Sequence, residues 1–304
     1  MAAVGEKGVS FAHAGRSLII AVIAANIGLA FAWGAGSGSI VYSGVPAVLL
    51  CAAVAFLVNW LVFIPAALFQ SDRFYDTTGA ITYLTVIALA CAAAIEANGS
   101  LDVRSGVVAG MVAIWTIRLG SFLFSRIHAA GGTDVRFEKF KVNPPRFLVA
   151  WTLQAVWVIF TASAALVVIT APDPQPLGVF FWVGAALWVI GFAFEVIADE
   201  QKRRFKADPV NRGRYITTGL WAWSQHPNYF GEITLWTGIL VIALPQLGGW
   251  NWLVVASPLF VALLLTKVSG INLLDGIARK RWGDDPAWQA YYRDTPVLIP
   301  RPTR

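Results

Sequence analysis

Residues 45–69 read VPAVLLCAAVAFLVNWLVFIPAALF, a run without one charged side chain. A helix rises 1.5 Å per residue and needs ~17–25 apolar residues to cross a hydrocarbon layer of about 30 Å, so this run is long enough to span one. Runs of the same kind recur at 18–34, 80–97, 107–124, 147–171, 177–198, 230–247 and 251–268. Their apolar character is continuous rather than alternating, which selects helices over a closed barrel. Composition agrees: 57% of residues are hydrophobic and 13% charged, against roughly 25% charged in soluble domains. The expected fold is therefore all-α, a polytopic transmembrane helical bundle of about eight spans forming a single integral-membrane domain over 1–304. The seventh span is the weakest, because Pro245 and Gly248-Gly249 cut it short, and it can form a tight hairpin with the eighth.

Orientation follows from the basic residues, which accumulate in short cytoplasmic loops. With a cytoplasmic N-terminus, the loops at 125–146 and 199–229 and the segment from 269 share that side and hold most of the 23 Lys and Arg, while Arg104 falls opposite. Both termini are accordingly expected to be cytoplasmic. Lys7 and Arg16 before an apolar run have the outline of a signal peptide, but seven further spans make that run the first helix. The net charge of +6 reads as this topology signal plus attraction to an anionic leaflet, so a lipid bilayer and no nucleic acid is the expected partner. Cys51 and Cys91 fall inside spans as small packing groups, and the three histidines are too scattered for a ligand set, so no metal site is expected.

Three polar constellations stand out against this background. The first is Ser224-Gln225-His226-Pro227-Asn228-Tyr229-Phe230-Gly231-Glu232, set directly against the seventh span. Pro227 suits the first turn of a helix, and the N-terminus it opens is a natural seat for phosphate. Asn228 and Glu232 are four apart and share a face, where they can present donor and acceptor groups to an amide or a ribose. An interfacial cap with Trp221, Trp223 and Tyr229 in an aromatic belt is the plainer alternative, but it leaves the intramembrane Glu232 unexplained.

The second constellation follows the sixth span, where Glu195, Asp199, Lys202, Arg203 and Lys206 recur at helical spacing. An acidic group continued by a basic stripe can hold a dinucleotide, although snorkelling explains the basic residues alone. The third lies earlier. Asp72, Tyr75 and Asp76 approach the third span, and Tyr83 is seven residues beyond Asp76 on the same face, about 10 Å deeper. Arg118 sits inside the fourth span, where a charge needs a partner or ligand, and Arg126, Asp134, Arg136 and Phe137 follow.

Gly219-Leu220-Trp221, the 224–232 string, the upstream Glu195, Asp199, Gln201-Lys202 and Phe205, and the downstream Ser269-Gly270-Ile271, Tyr291-Tyr292 and Thr295-Pro296 together resemble bacterial membrane proteins related to the steroid 5-alpha-reductase family, in the branch called DUF1295. The resemblance is strong over 147–304, looser over 72–140, and the first span has no counterpart. It implies NADPH-dependent reduction of a carbon–carbon double bond conjugated to a carbonyl, in a lipophilic steroid-like, isoprenoid or enoyl substrate, at a bacterial inner (cytoplasmic) membrane. The implied cofactor residues are Asn228 and Glu232, with Asp199, Lys202 and Arg203, and with Arg118 and Arg126 on the phosphates; His226 and Tyr229 of the same string complete the expected set. Animal reductases also use a Glu and a Tyr from early spans to polarise the carbonyl. This chain departs there: the acidic positions are Asp72 and Asp76, Trp115 stands where a Tyr is expected, and Tyr83 or Tyr75 is the candidate substitute.

The catalytic set expected on this basis is Asp76, Tyr83 and Tyr75. Hydride addition places charge on the carbonyl oxygen, and a Tyr or a protonated carboxyl in a dry cavity stabilises it; Asp76 serves only if an apolar setting keeps its proton in place. The alternative enzyme is an S-adenosylmethionine-dependent membrane methyltransferase of the isoprenylcysteine methyltransferase-like type, which shares the shorter His-Pro and Gly-Glu pattern. A transporter is the non-enzyme alternative, disfavoured because the polar residues gather at one face and not at the midplane.

Overall fold

The computed structural model describes the backbone of residues 2–129, 137–138, 140–268 and 270–302, and the side chains of the same residues apart from 2–13 and 129. Asp134, Arg136 and Ser269 of the motifs above lie outside the described residues. The architecture is all-α, with one short antiparallel ribbon, β1 (Val41–Tyr42) and β2 (Val45–Pro46), closed by Ser43-Gly44. Among the described residues, seven helical stretches are long and apolar enough to cross a membrane: Ala14–Ala35, Ala47–Leu68, Tyr75–Asn98, Val103–His128, Pro144–Ile169, Val179–Ala207 and Gly249–Trp282. The chain is an integral membrane protein.

The difference from eight lies where Pro245 and the glycines interrupt the pattern. The helix opened by Pro227 ends at Ala243 after 17 residues, about 25 Å, and tightens into a 3-10 turn over Leu244–Gln246. The expected eighth span is regular only over Ala256–Leu263, between a 3-10 stretch at Gly249–Val255 and a π turn at Leu264–Val268.

Two compact units divide the chain, Met1–Pro176 with Pro245–Val254, and Leu177–Leu244 with Val255–Arg304. In the first unit, α5 (Pro144–Ile169) packs against each of α1 (Ala2–Ala35), α2 (Ala47–Leu68), α3 (Tyr75–Asn98) and α4 (Val103–Ala129). A helix that is apolar all round belongs at such a centre, and α5 is buried from Ala162 nearly continuously to Ile169. Phe160 of α5 stacks on Phe31 of α1 at 3.9 Å. Polar side chains tie the same helices together, as is usual where lipid offers no hydrophobic drive: buried Asn59 donates from Nδ2 to Thr82 Oγ1 at 3.1 Å, and Trp60 Nε1 donates to Thr152 Oγ1 at 3.0 Å. Around this core, Leu57, Leu61 and Ile64 of α2 are exposed, as a lipid-facing stripe requires.

The second unit is built on the pairing of α6 (Val179–Ala207) with α7 (Pro227–Ala243), the most extensive helix contact in the chain. α7 also packs against α8 (Ala256–Leu263), and α9 (Ile271–Trp282) and α10 (Pro286–Asp294) follow.

Candidate functional site

The α6–α7 pairing is set by four glycines spaced seven apart on each helix. A Cβ built on Gly184 would lie 2.4 Å from the Gly238 carbonyl, and one on Gly191 would lie 2.5 Å from that of Gly231. The helices are thus antiparallel and in backbone contact, because no side chain stands between them. Antiparallel register carries the rest: one turn beyond Gly191, the backbone of Glu195 meets Gly231, and one turn further Asp199 meets Asn228, whose Nδ2 donates to Asp199 Oδ1 at 3.2 Å. Glu195, Asp199 and Glu232 are all buried, at 2%, 7% and 8% exposure. The two constellations read separately in the sequence are one cluster in the fold.

A tight turn, Gly219–Ala222, frames this cluster. Gly219 has φ +63, and an added Cβ there would collide with the Gln201 amide, whose Oε1 accepts from Leu220 N at 3.0 Å. Trp221 is fixed by its Nε1–H to the Ala198 carbonyl at 3.0 Å, and Lys202 lies over its ring at 4.3 Å. Lys202 is therefore held against the turn that packs on α6. Arg203 is not: it forks onto Glu200 at 2.6 Å and 2.8 Å with a side chain 58% exposed.

The string leading into α7 is strapped down by residues 291–301. Ser224, fully buried, donates to the Leu298 carbonyl at 2.9 Å, and Gln225 Nε2 donates to the carbonyls of Tyr292 at 2.8 Å and Thr295 at 2.7 Å. Tyr291 Oη donates to the Trp221 carbonyl at 2.8 Å. The downstream Tyr291-Tyr292 and Thr295-Pro296 of the sequence pattern thus hold the upstream string in place. His226 stacks on Tyr229, their ring centroids 5.4 Å apart, and its Nε2 lies 3.8 Å from Asp275 Oδ1, while the other oxygen of Asp275 accepts from Tyr292 Oη at 2.7 Å. Asp275 was not among the expected residues; its one signal is a carboxylate in the middle of the largely apolar start of α9.

Burial holds the His226 imidazole down to about 4 from its ordinary 6.5, and the nearby Lys202 pushes the same way, against the opposing pull of Asp275. Above pH 6.5 the ring is neutral whether the chain is folded or unfolded. Between 6.5 and about 4 the unfolded chain takes up a proton that the folded one refuses, so stability falls as pH falls through that window, by about 3 kcal/mol in all. The apparent melting midpoint of detergent-purified protein should drop more steeply from pH 7 to 4.5 in wild type than in His226→Gln. Parallel curves for the two proteins would show that His226 is not the titrating group.

The remaining expected residues belong to the first unit. Asp76 pairs with Arg126 at 3.7 Å, and Asp72 with Lys141 at 3.0 Å. Tyr75 Oη donates to the Ala150 carbonyl at 2.9 Å, between the rings of Phe137 and Trp151. Tyr83 is buried at 4% exposure with its ring edge-on to Trp115 at 5.2 Å, the residue that stands where a Tyr is expected. The Arg118 guanidinium lies over the Phe122 ring at 5.3 Å.

An integral-membrane helical protein with a buried polar cluster at the mouth of a glycine-paired helix hairpin is the class defined so far. Residues 62–295, well over half of the chain, match the family described as "Protein of unknown function (DUF1295)", and the chain belongs to that family of steroid 5-alpha-reductase-like proteins. The match begins inside α2 and leaves out α1, the span without a counterpart in the sequence reading. The chain is also 23% identical over 180 residues to the uncharacterized protein C594.04c of Schizosaccharomyces pombe, covering 50% of this chain and 52% of that protein, so it spans about half the length of the curated relative it matches. No solved structure matches it.

Proposed function

We propose that the protein is an NADPH-dependent reductase of a carbon–carbon double bond conjugated to a carbonyl in a lipophilic substrate, working in a bacterial inner membrane with both termini and the basic loops cytoplasmic. The observation that carries this reading is the joining of Asp199 and Asn228 across the α6–α7 pair, with Lys202, His226 and Glu232 in the same unit. The residues fit the group. A buried amide and carboxylates suit a nicotinamide amide and ribose hydroxyls, and Lys202 and the N-terminus of α7 suit phosphate. Arg203 and Tyr229 of the same unit, and Arg118 and Arg126 on the sequence resemblance, complete the proposed cofactor set.

When bound, the nicotinamide supplies a hydride to the β-carbon of an enone. The chain's own part is to orient that exchange, exclude water and meet the charge that develops on the carbonyl oxygen. Of the three proposed donors, Asp76 has its carboxylate on Arg126 and Tyr75 has its hydroxyl proton on the Ala150 carbonyl. Tyr83, seven residues inward of Asp76 on the same face of α3, is the donor we favour.

NADPH and S-adenosylmethionine titrations of purified protein test the reading. Wild type should bind NADPH and not S-adenosylmethionine, and Asn228→Ala and Glu232→Ala should each weaken NADPH binding by about 1–3 kcal/mol, the scale for removing one partner of a buried hydrogen bond. Unchanged NADPH affinity in both variants removes these residues from the site, and binding of S-adenosylmethionine in place of NADPH replaces the reductase with the methyltransferase.

A further inference from the structure

Between the middle of α1 and the start of α5 in the first unit lies a groove that the reductase reading does not use. It is a cavity of about 260 Å³, walled by Ile20, Val149, Ala150 and Leu153 and closed at one end by Ser17, Phe140 and Arg146. Ile20 and Leu153 are exposed at the groove, and both belong to membrane-crossing stretches, so the groove opens onto the hydrocarbon layer and not onto water.

The polar end differs from the two ion-paired basic sites described in this unit. Lys141 and Arg126 each face a carboxylate, Asp72 at 3.0 Å and Asp76 at 3.7 Å. Arg146 does not: its guanidinium carbon lies over the Phe140 ring, 4.4 Å from the centroid, and among the described residues no carboxylate is within ion-pair distance of it. A stacked guanidinium is pre-oriented with its N–H edge open, the geometry that receives a phosphate. Arg16, exposed, sits one helical turn before Ile20 and adds a second positive charge at the same end. Arg146 also stands in the first turn of α5, whose N-terminus is capped by Asn143 and carries the positive end of the helix dipole.

We propose that this groove is a binding site for an anionic phospholipid, with the upper part of an acyl chain along Ile20, Val149 and Leu153 and the phosphate on Arg146. An apolar slot topped by an unneutralised, ring-stacked arginine recognises a molecule that is apolar along its length and anionic at its head. A free phosphate satisfies the head alone, and a zwitterionic lipid fills the slot but offsets its phosphate with its own cation. The site is independent of the cofactor reading.

Native mass spectrometry of the whole chain, released from an uncharged detergent and titrated with phosphatidylglycerol and phosphatidylcholine of identical acyl chains, tests the proposal. Wild type should bind phosphatidylglycerol the more tightly. Arg146→Gln and Arg16→Gln should each weaken phosphatidylglycerol about fivefold, the scale for one basic residue at an anionic surface, and phosphatidylcholine by clearly less. Leu153→Trp, which fills the groove, should weaken both lipids. Arg73→Gln, an exposed arginine on the other side of α2 in sequence, should change neither. Equal wild-type affinity for the two lipids, a preference that survives the Arg16→Gln/Arg146→Gln pair, an equal loss in Arg73→Gln, or displacement of the lipid by glycerol 3-phosphate each overturns it. Where Arg146→Gln does not yield folded protein, Arg16→Gln and Leu153→Trp carry the test.

Discussion

Gly231→Val should strongly destabilise the second unit. A Cβ at Gly231 would stand 2.6 Å from both the Glu195 amide nitrogen and the Gly191 carbonyl, and neither can rotate away as a side-chain tip would. The helices must separate, so the cost lies at or beyond the upper end of the ~1–3 kcal/mol usual for overpacking. Separation also draws Asn228 off Asp199, which links stability to the proposed site. The expected result is a large fall in the apparent melting midpoint together with loss of NADPH binding, while Gly276→Ala, where nothing lies within 4 Å of the added Cβ, leaves both in place. A Gly231→Val protein that melts with wild type would mean that the two backbones are not in contact.

Tyr83→Phe should separate chemistry from binding. The substitution removes one hydroxyl and keeps the ring that packs edge-on to Trp115, so the first unit should fold and NADPH should bind as in wild type. Turnover of an enone that wild type reduces should fall by about 10²–10³, the usual effect of deleting one oxyanion donor. Asp76→Asn removes the charged partner of Arg126 and, on the favoured reading, should cost far less than Tyr83→Phe. Full activity in both variants would place the electrophilic group elsewhere; loss in Asp76→Asn alone would make the carboxyl the donor.

The spans were legible because an uncharged run such as 45–69 has one stable form in lipid. The count differed by one at Pro245, where the helix stops after 17 residues and the backbone tightens into a 3-10 turn. The halves of the polar cluster were legible separately, as Asn228 with Glu232 and as Asp199 with Lys202, since each pair shares a helix face. Their union was not, because it depends on which glycines of α6 meet which of α7. Asp275 was hidden for the same reason: it reaches His226 from α9, and no periodicity within one helix announces a partner on another. Arg203 shows the converse, a residue placed correctly on its helix but facing Glu200.

The strap over the site sets an order on biosynthesis. Gln225 Nε2 donates to the carbonyls of Tyr292 and Thr295, the Gln225 backbone N–H donates to the Pro296 carbonyl at 2.9 Å, and the Arg301 N–H donates to the Trp223 carbonyl at 3.0 Å. While the ribosome still holds residues 291–301, α6 and α7 can enter the bilayer and zip along their glycines, yet the segment that opens α7 has nothing to bind. A nascent chain therefore presents an inserted but unlatched hairpin, and the polar site closes only after that stretch has left the exit tunnel.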